Sequence, residues 1–285
     1  MQPSEGVVAA RDAATVIVAR DAPVARDDRR GGRDEAAGSL EVLLLRRNVR
    51  AEFAAGVYVF PGGAVEDSDR ADAARRRCVG LEEETADLLL GVAEGGLAFY
   101  VAAIRECFEE AGILFARRGA SGGAASRGTP VVGRAELAEA RAGLVAGRGS
   151  FVEWCAANGL WLAADELRYF SHWITPVGAP RRYDTRFFVA RLPAGQEASH
   201  DAGETVDALW IGPGEALRRH RAGELDLVFP TVKHLEALEA FHSASELWDA
   251  AGSVGVPPTV QPRLAKGPEG LRVLLPGDPG FEEAG

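Results

Sequence analysis

Apolar residues follow two rhythms along this chain. AATVIVA (13–19) and EVLLLRR (41–47) are dense apolar runs bounded by polar, Gly-rich sequence, and they read as buried strands. The polar stretch 21–38 between them reads as a loop. VYVF (57–60) is a short aromatic strand stopped by Pro61-Gly62-Gly63. Residues 70–117 differ: they hold no proline, and apolar residues recur at helical spacing, Leu88-Leu89-Val92 in one cluster and Phe99, Ala103 and Cys107 in another. Two helices are predicted there, broken near Gly95-Gly96, the second ending at Gly112.

Further on, 119–130 reads as a flexible loop, and 134–146 and 150–158 read as helices. Strands are predicted at 172–176, 186–192 and 207–212, a helix over 213–223 with Pro213 near its start, and another over 230–243. Beyond Ala250 the chain is Gly- and Pro-rich, with 271–276 as a single edge strand. Strands with interspersed helices predict an α/β (α+β) domain over 12–250, with helical insertions near 70–98 and 130–168. A disordered N-terminus (1–11) and a Gly/Pro-rich extension (251–285) flank it.

The 285 residues, 47% hydrophobic and 26% charged, suffice for a sizeable core. A formal charge of −10 with no basic stripe argues against a nucleic-acid partner. No apolar run approaches the roughly 20 residues of a membrane span, and the acidic start MQPSEGVVAARD is unlike a signal peptide. Cys78, Cys107 and Cys155 are odd in number and far apart, and the histidines lack H-E-x-x-H spacing, so disulfide frameworks and zinc sites are not expected. A cytoplasmic protein with no membrane partner is the expectation; its oligomeric state is open, a homodimer included.

AAIRECFEEAGILF (102–115) carries the chemistry. Glu106, Glu109 and Glu110, at i, i+3 and i+4, share one helix face and repel one another. Arg105, four residues before Glu109, offsets only part of that charge. Hard divalent cations such as Mg²⁺ suit such a face, taking one or two carboxylates with waters and substrate phosphate oxygens. On these residues alone, a solvated charged face is the commoner outcome.

Together with FPGG upstream, this stretch resembles the box of the Nudix hydrolases, G-x5-E-x7-R-E-U-x-E-E-x-G-U, where U is bulky and apolar. Arg105 to Ile113 match its second half, with Cys107 as a modest departure. Gly63 matches the first half, with Asp69 in place of Glu. Residues 70–104 then stand where the box has seven, so an insertion splits it and leaves the part of Asp69 open. The order EVLLLRR, YVFPGG, IRECFEEAGILF and WITPVGAPRRYDTRFFVA, with the two helical segments between, is similar to the Nudix subgroup of split-box coenzyme A diphosphatases, over roughly residues 12–245. The last residues are Glu-Glu-Ala-Gly rather than a peroxisomal Ser-Lys-Leu address.

The resemblance implies a Nudix-type α/β/α sandwich with a mixed sheet. It implies Mg²⁺ (or Mn²⁺) held by Glu106, Glu109 and Glu110 with a backbone carbonyl at Gly62 or Gly63. Arg105 would orient the carboxylates, and Glu204, ahead of Asp207, would be the general base. Arg46, Arg47 and Arg50 would reach a substrate 3′-phosphate, and Arg182, within PRRYDTRFF, suits phosphate recognition. Trp161, Trp173 and Trp210 offer rings for adenine, with a core role favoured. The implied activity is hydrolysis of the diphosphate linkage of a nucleotide-linked small molecule, coenzyme A or acyl-CoA first and ADP-ribose or NADH second. A catalytically inactive nucleotide-binding module is the reading from another class; the retained carboxylates argue against it.

Overall fold

The computed structural model describes residues 8–23, 39–48, 56–119, 132–200, 205–253, 255–267 and 270–284. Strands β1 (Arg11–Asp21) and β2 (Leu40–Arg47) lie in the middle of the molecule. Both lack polar alternation because both of their faces are covered. Ala14, Val16, Val18, Leu43 and Leu45 enter one apolar layer, while Ile17, Ala19, Val42 and Leu44 enter the other.

The central sheet is mixed. β1 pairs antiparallel with β2 and parallel with β9 (Tyr183–Arg191); β10 (Thr205–Ile211) borders β2; β8 (Arg168–Ile174) and β11 (Thr259–Val260) continue beyond β9. Two short strands fold back onto it: β3 (Tyr58–Val59) onto β2, and β4 (Gly62–Ala64) onto β1, with Gly63 opposite Ala14. Helix α4 (Gly96–Ala111) covers one face. Helices α7 (Pro213–Arg221), α8 (Phe229–Leu238) and α9 (Ala244–Ser253) cover the other. The result is the expected α/β/α sandwich. No helix among the described residues is long and apolar enough to cross a membrane.

The segment between β4 and α4 is more broken than the helical spacing predicts. It forms single turns α1 (Asp67–Arg70) and α2 (Asp72–Arg75), strand β5 (Cys78–Val79) and then α3 (Glu83–Leu90). Residues 66–77 offer few apolar side chains, so a longer helix there has no stripe to bury. On α3 the buried pair is Ala86 and Leu90, at i and i+4, and Leu88 is 75% exposed. The predicted break near Gly95-Gly96 is present, and Asp87 Oδ1 accepts the Gly96 N–H at 2.6 Å, so α3 caps the start of α4.

The second inserted segment holds α5 (Arg134–Val145) and α6 (Phe151–Ala157), followed by β7 (Leu160–Ala163), a strand within what was expected as a helical insertion. β7 pairs with both β5 and β6 (Ala116–Arg118), which ties the two inserted segments into one small sheet. The predicted helix over 230–243 ends at Leu238, and α9 begins where Ser243 Oγ accepts the Glu246 N–H at 3.1 Å. The expected single edge strand near 271–276 is instead half of a separate hairpin, β12 (Arg263–Gly267) with β13 (Gly270–Leu274). The edge of the central sheet is taken by β11.

Candidate active site

Helix α4 is apolar enough to be buried nearly all round. Of its sixteen residues, only Glu106 and Glu109 are not buried. Glu110 is 4% exposed and Arg105 6%. A solvated charged face is thereby ruled out: these charges sit inside the protein and must be matched there.

Arg105 does most of the matching. Its Nε and Nη2 donate to the two oxygens of Asp69 at 2.9 and 2.8 Å, a bidentate pair with a carboxylate that is fully buried. Nη1 reaches Glu106 Oε1 at 2.9 Å and Glu109 Oε2 at 3.1 Å, and Nη2 also reaches Ala64 O at 3.1 Å. Asp69 Oδ2 accepts the Glu66 N–H at 2.9 Å, which fixes it at the start of α1. Asp69, left open by the split box, is the residue that holds Arg105. The insertion begins after it, and the five-residue spacing from Gly63 is intact.

The glycines explain why β4 can lie so close. The Gly62 N–H donates to Glu110 Oε2 at 2.9 Å. A Cβ on Gly62 would come within 2.5 Å of Ala14 O, and one on Gly63 would collide with the Glu106 carboxylate. Gly63 and Glu106 are therefore in contact despite the residues inserted between them.

Electrostatically the cluster is overloaded with negative charge. Burial pushes the Glu106 carboxyl up to about 7; Arg105 opposes this, while Glu109 and Asp69 add to it. Burial also raises Glu109, again against Arg105. The Arg105 guanidinium is held above its usual range: burial alone would lower it, but the hydrogen bond to Asp69 and the fields of Glu106, Asp69 and Glu109 outweigh that. Asp69, Glu106 and Glu109 thus converge on one arginine, while Glu110 is held by the Gly62 N–H. The donors are carboxylate and carbonyl oxygens without Cys or His, a set suited to a hard cation. Among the described residues no three His, Cys, Asp or Glu side chains are gathered into a metal-holding group. Mg²⁺ does not require one, since it keeps waters and takes substrate oxygens.

The predicted substrate arginines separate. Neighbouring residues on a strand point to opposite faces. Arg47 follows Leu43 and Leu45 on the α4 face, whereas Arg46 follows Val42 and Leu44 on the other. Arg46 sits over the Tyr58 ring at 6.0 Å and donates to Gly56 O at 3.2 Å. Arg47 Nε is buried without a hydrogen-bond partner. A bulge between Thr205 and Asp207 places Thr205 opposite Arg47 and Asp207 opposite Arg46. Asp207 accepts the Tyr58 hydroxyl at 2.6 Å, on the face away from α4. Burial first, and then Asp207, push Tyr58 up to about 12.

Arg182 is 8% exposed and is engaged by backbone, donating to Thr175 O at 3.0 Å and Val8 O at 2.7 Å. Its guanidinium ties strand ends together, and the structure does not bring it into the carboxylate cluster. Trp161 lies under Arg77, Trp210 under Arg20, and Trp173 packs on Phe229 and His234. Glu204 and Arg50 lie outside the described residues. Sequence reasoning missed Arg141, whose guanidinium donates to Glu109 O at 2.8 Å. Three of its partners are backbone carbonyls, which leave no side-chain pattern to find.

Known proteins place this arrangement. A family model described as the NUDT19 Nudix domain matches residues 10–238. The acyl-coenzyme A diphosphatase NUDT19 of Gallus gallus is 30% identical over 306 residues, covering 96% of this chain and 80% of that protein. The protein of that name from Homo sapiens is 28% identical over 239 residues, covering 74% of this chain and 64% of its own length. The crystal structure of a Nudix hydrolase from Alicyclobacillus acidocaldarius superposes with a TM-score of 0.63 at 32% identity, covering 88% of this chain and 99% of that one. With a buried Nudix box on α4 and a family match over most of its length, the chain belongs to the Nudix hydrolases, in the family of the NUDT19 Nudix domain.

Proposed function

We propose that this Nudix hydrolase cleaves the diphosphate linkage of coenzyme A or an acyl-CoA, with Mg²⁺ or Mn²⁺ as its metal. The observation that carries the chemistry is the set of Glu106 and Glu109 on Arg105 with Glu110 on the Gly62 N–H, gathered where Gly62-Gly63 meets α4. The substrate class is supported by the relatives, named as acyl-coenzyme A diphosphatases. Glu106, Glu109 and Glu110, with a backbone carbonyl at Gly62 or Gly63, would hold the cation. When bound, it polarises a diphosphate oxygen and lowers the pKa of a water.

The chain's own residues do the remaining work. Asp69 fixes Arg105, and Arg105 fixes Glu106 and Glu109, so the carboxylates are set before substrate arrives. Water attacks one phosphorus, the bond to the bridging oxygen breaks, and two monophosphates leave. Glu204 takes the water proton in this scheme. Arg47, on the α4 face with a free Nε, is the arginine we assign to a substrate phosphate.

A substrate comparison tests this reading. Coenzyme A, its 3′-dephospho form, ADP-ribose and NADH are offered with Mg²⁺ and with Mn²⁺. Coenzyme A is expected to exceed the 3′-dephospho form by at least about tenfold in kcat/KM, because an unmet charged group in the site is penalised. A preference for ADP-ribose or NADH would overturn the coenzyme A assignment and leave diphosphate hydrolysis standing. No turnover of any of them would overturn both.

A further inference from the structure

The last carbonyls of a helix have no partner within it, and when buried each must find one elsewhere. At the end of α4 each one does. Gly112, left-handed at φ 70°, turns the chain so that its N–H reaches Phe108 O at 2.9 Å and the Ile113 N–H reaches Cys107 O at 3.4 Å. Ala111 O takes the Ser199 N–H at 2.9 Å. The other two, Glu109 O and Glu110 O, are both taken by Arg141 of α5, through Nε at 2.8 Å and Nη2 at 2.5 Å. The third nitrogen of the same guanidinium, Nη1, reaches Ser199 Oγ at 2.9 Å and His200 O at 3.2 Å. The Thr205 hydroxyl donates to Glu110 O at 3.3 Å, on the same cluster.

Arg141 is 7% exposed, so its charge is balanced locally. The negative end of the α4 dipole contributes to this, through the two carbonyls it holds. The guanidinium fork is planar and rigid, and its donors fix what they touch in angle as well as distance. Here they fix two things at once. One is the turn of α4 that carries Glu109 and Glu110. The other is Ser199–His200, held against the helix end. In the sequence, Glu204, the proposed general base, stands between His200 and Thr205, whose hydroxyl meets Glu110 O.

The geometry points to Arg141 as a positioning residue of the active site, one that sets the Glu109–Glu110 turn against Ser199–His200. It acts through backbone, without touching substrate, and is supplied by a helix outside the Nudix box. This rests on the assignment of the α4 carboxylates as the catalytic end.

The test separates positioning from mere stability. Arg141→Ala and Arg141→Lys are assayed on coenzyme A with Mg²⁺, and rates are expressed per folded molecule. Misplacement of catalytic groups predicts a fall in kcat of about 30- to 100-fold for Arg141→Ala, with KM changed less than about threefold. Arg141→Lys, which keeps the charge but loses the fork, is expected to fall about tenfold. A cavity of about 630 Å³ borders the site, lined by Gly112, Leu137, Arg141, Ala142, Gln196 and Ser199, and gives a small cation a way in. Guanidinium at about 20 mM, far below denaturing strength, is therefore expected to restore Arg141→Ala by several-fold and to do nothing for Glu109→Gln.

A purely structural arginine would lower Tm and yield but leave kcat per folded molecule and the guanidinium response unchanged, and that result overturns the proposal. Should Arg141→Ala not fold, Arg141→Lys and Ser199→Ala decide the matter, the latter removing one arm of the clamp. Wild-type kcat in both overturns it; a reduced kcat with unchanged KM upholds it. An inactive wild type would overturn the underlying functional reading as well. An active wild type, with Glu109→Gln inactive and the Arg141 variants unaffected, overturns this inference alone.

Discussion

Two buried polar sets lie on opposite faces of the central sheet, and they are built to different ends. On the α7–α9 face, His234 is 3% exposed and stacked on Phe187 at 4.1 Å. Its Nδ1–H donates to Pro230 O at 2.7 Å, which leaves Nε2 to accept the Ser171 hydroxyl at 2.5 Å. Every polar atom of the ring is used, and the ring is neutral. On the α4 face, three carboxylates, Asp69, Glu106 and Glu109, share Arg105, and Glu106 is pushed up to about 7. The first set is complete within the protein. The second carries more negative charge than the protein neutralises. A core polar group that stabilises a fold is satisfied by its neighbours; one kept for a ligand is left in deficit.

The largest expected effect breaks the deficit directly. Glu109→Gln keeps shape and removes one negative charge from the overloaded face. Activity on coenzyme A with Mg²⁺ should fall by at least about 100-fold, because an electrostatic partner of the transition state is lost. Stability without metal should be unchanged or raised, because like-charge repulsion is relieved. Turnover under saturating Mg²⁺ and urea denaturation check the two halves. Near wild-type kcat would remove Glu109 from the site. A large loss of stability would place it among the complete sets, with His234.

Much of the α4 side was legible in the sequence. Gly112 ends the helix as its position suggests, and Gly63 meets Glu106 as the box implies, whereas the part of Asp69, left open by the split spacing, shows only in the structure. The first two depend on local geometry, which a linear pattern records. What was not legible depends on partners brought from elsewhere. LWLA (160–163) is too short to show a period, and becomes a strand only because β5 and β6 flank it. Leu88 looks like core until Ala86 and Leu90 turn the α3 stripe away from it. Arg182 and Arg141 are arginines bound to backbone carbonyls, and a carbonyl has no letter in the sequence. The bulge at β10 sends Asp207 to the far face, though simple alternation would put it beside Thr205.

Acid sharpens the comparison, because the two sets answer it in opposite senses. His234 is driven down to about 4 by burial, against the backbone bond to Pro230. The unfolded chain, with histidine near 6.5, takes up a proton that the folded chain refuses. Stability from this residue is fully present above about pH 6.5 and is lost as pH falls toward 4, about 3 kcal/mol in all. Glu106 runs the other way: its folded value lies above the unfolded one, so acidification through that range favours the fold. Urea denaturation of the wild type and of His234→Gln at pH 7 and pH 4.5 isolates the histidine, because the Glu106 contribution is common to both. The gap in stability between the two proteins should narrow on acidification. A constant gap would show that His234 accepts its proton in the folded state.

The smallest expected effect tests whether strand alternation sorts substrate residues as it sorts core residues. Arg46 and Arg47 are adjacent and chemically identical, and the sheet sends them to opposite layers. Arg46 is already occupied, over Tyr58 and on Gly56 O. Arg47 has a buried Nε with no partner, and lies opposite Thr205, whose hydroxyl touches the end of α4. The Arg47 Nε is a buried donor left unmet, where the carboxylates are charges in excess. A phosphate group of the substrate would meet it. Arg47→Ala should therefore lower kcat/KM for coenzyme A by about tenfold and erase the preference over the 3′-dephospho form, while Arg46→Ala should change it by less than about twofold. Equal losses from the two would mean that the arginines act through the general field of the surface. A loss confined to Arg46→Ala would move the phosphate to the α7–α8 side, where Asp207 and Tyr58 already pair.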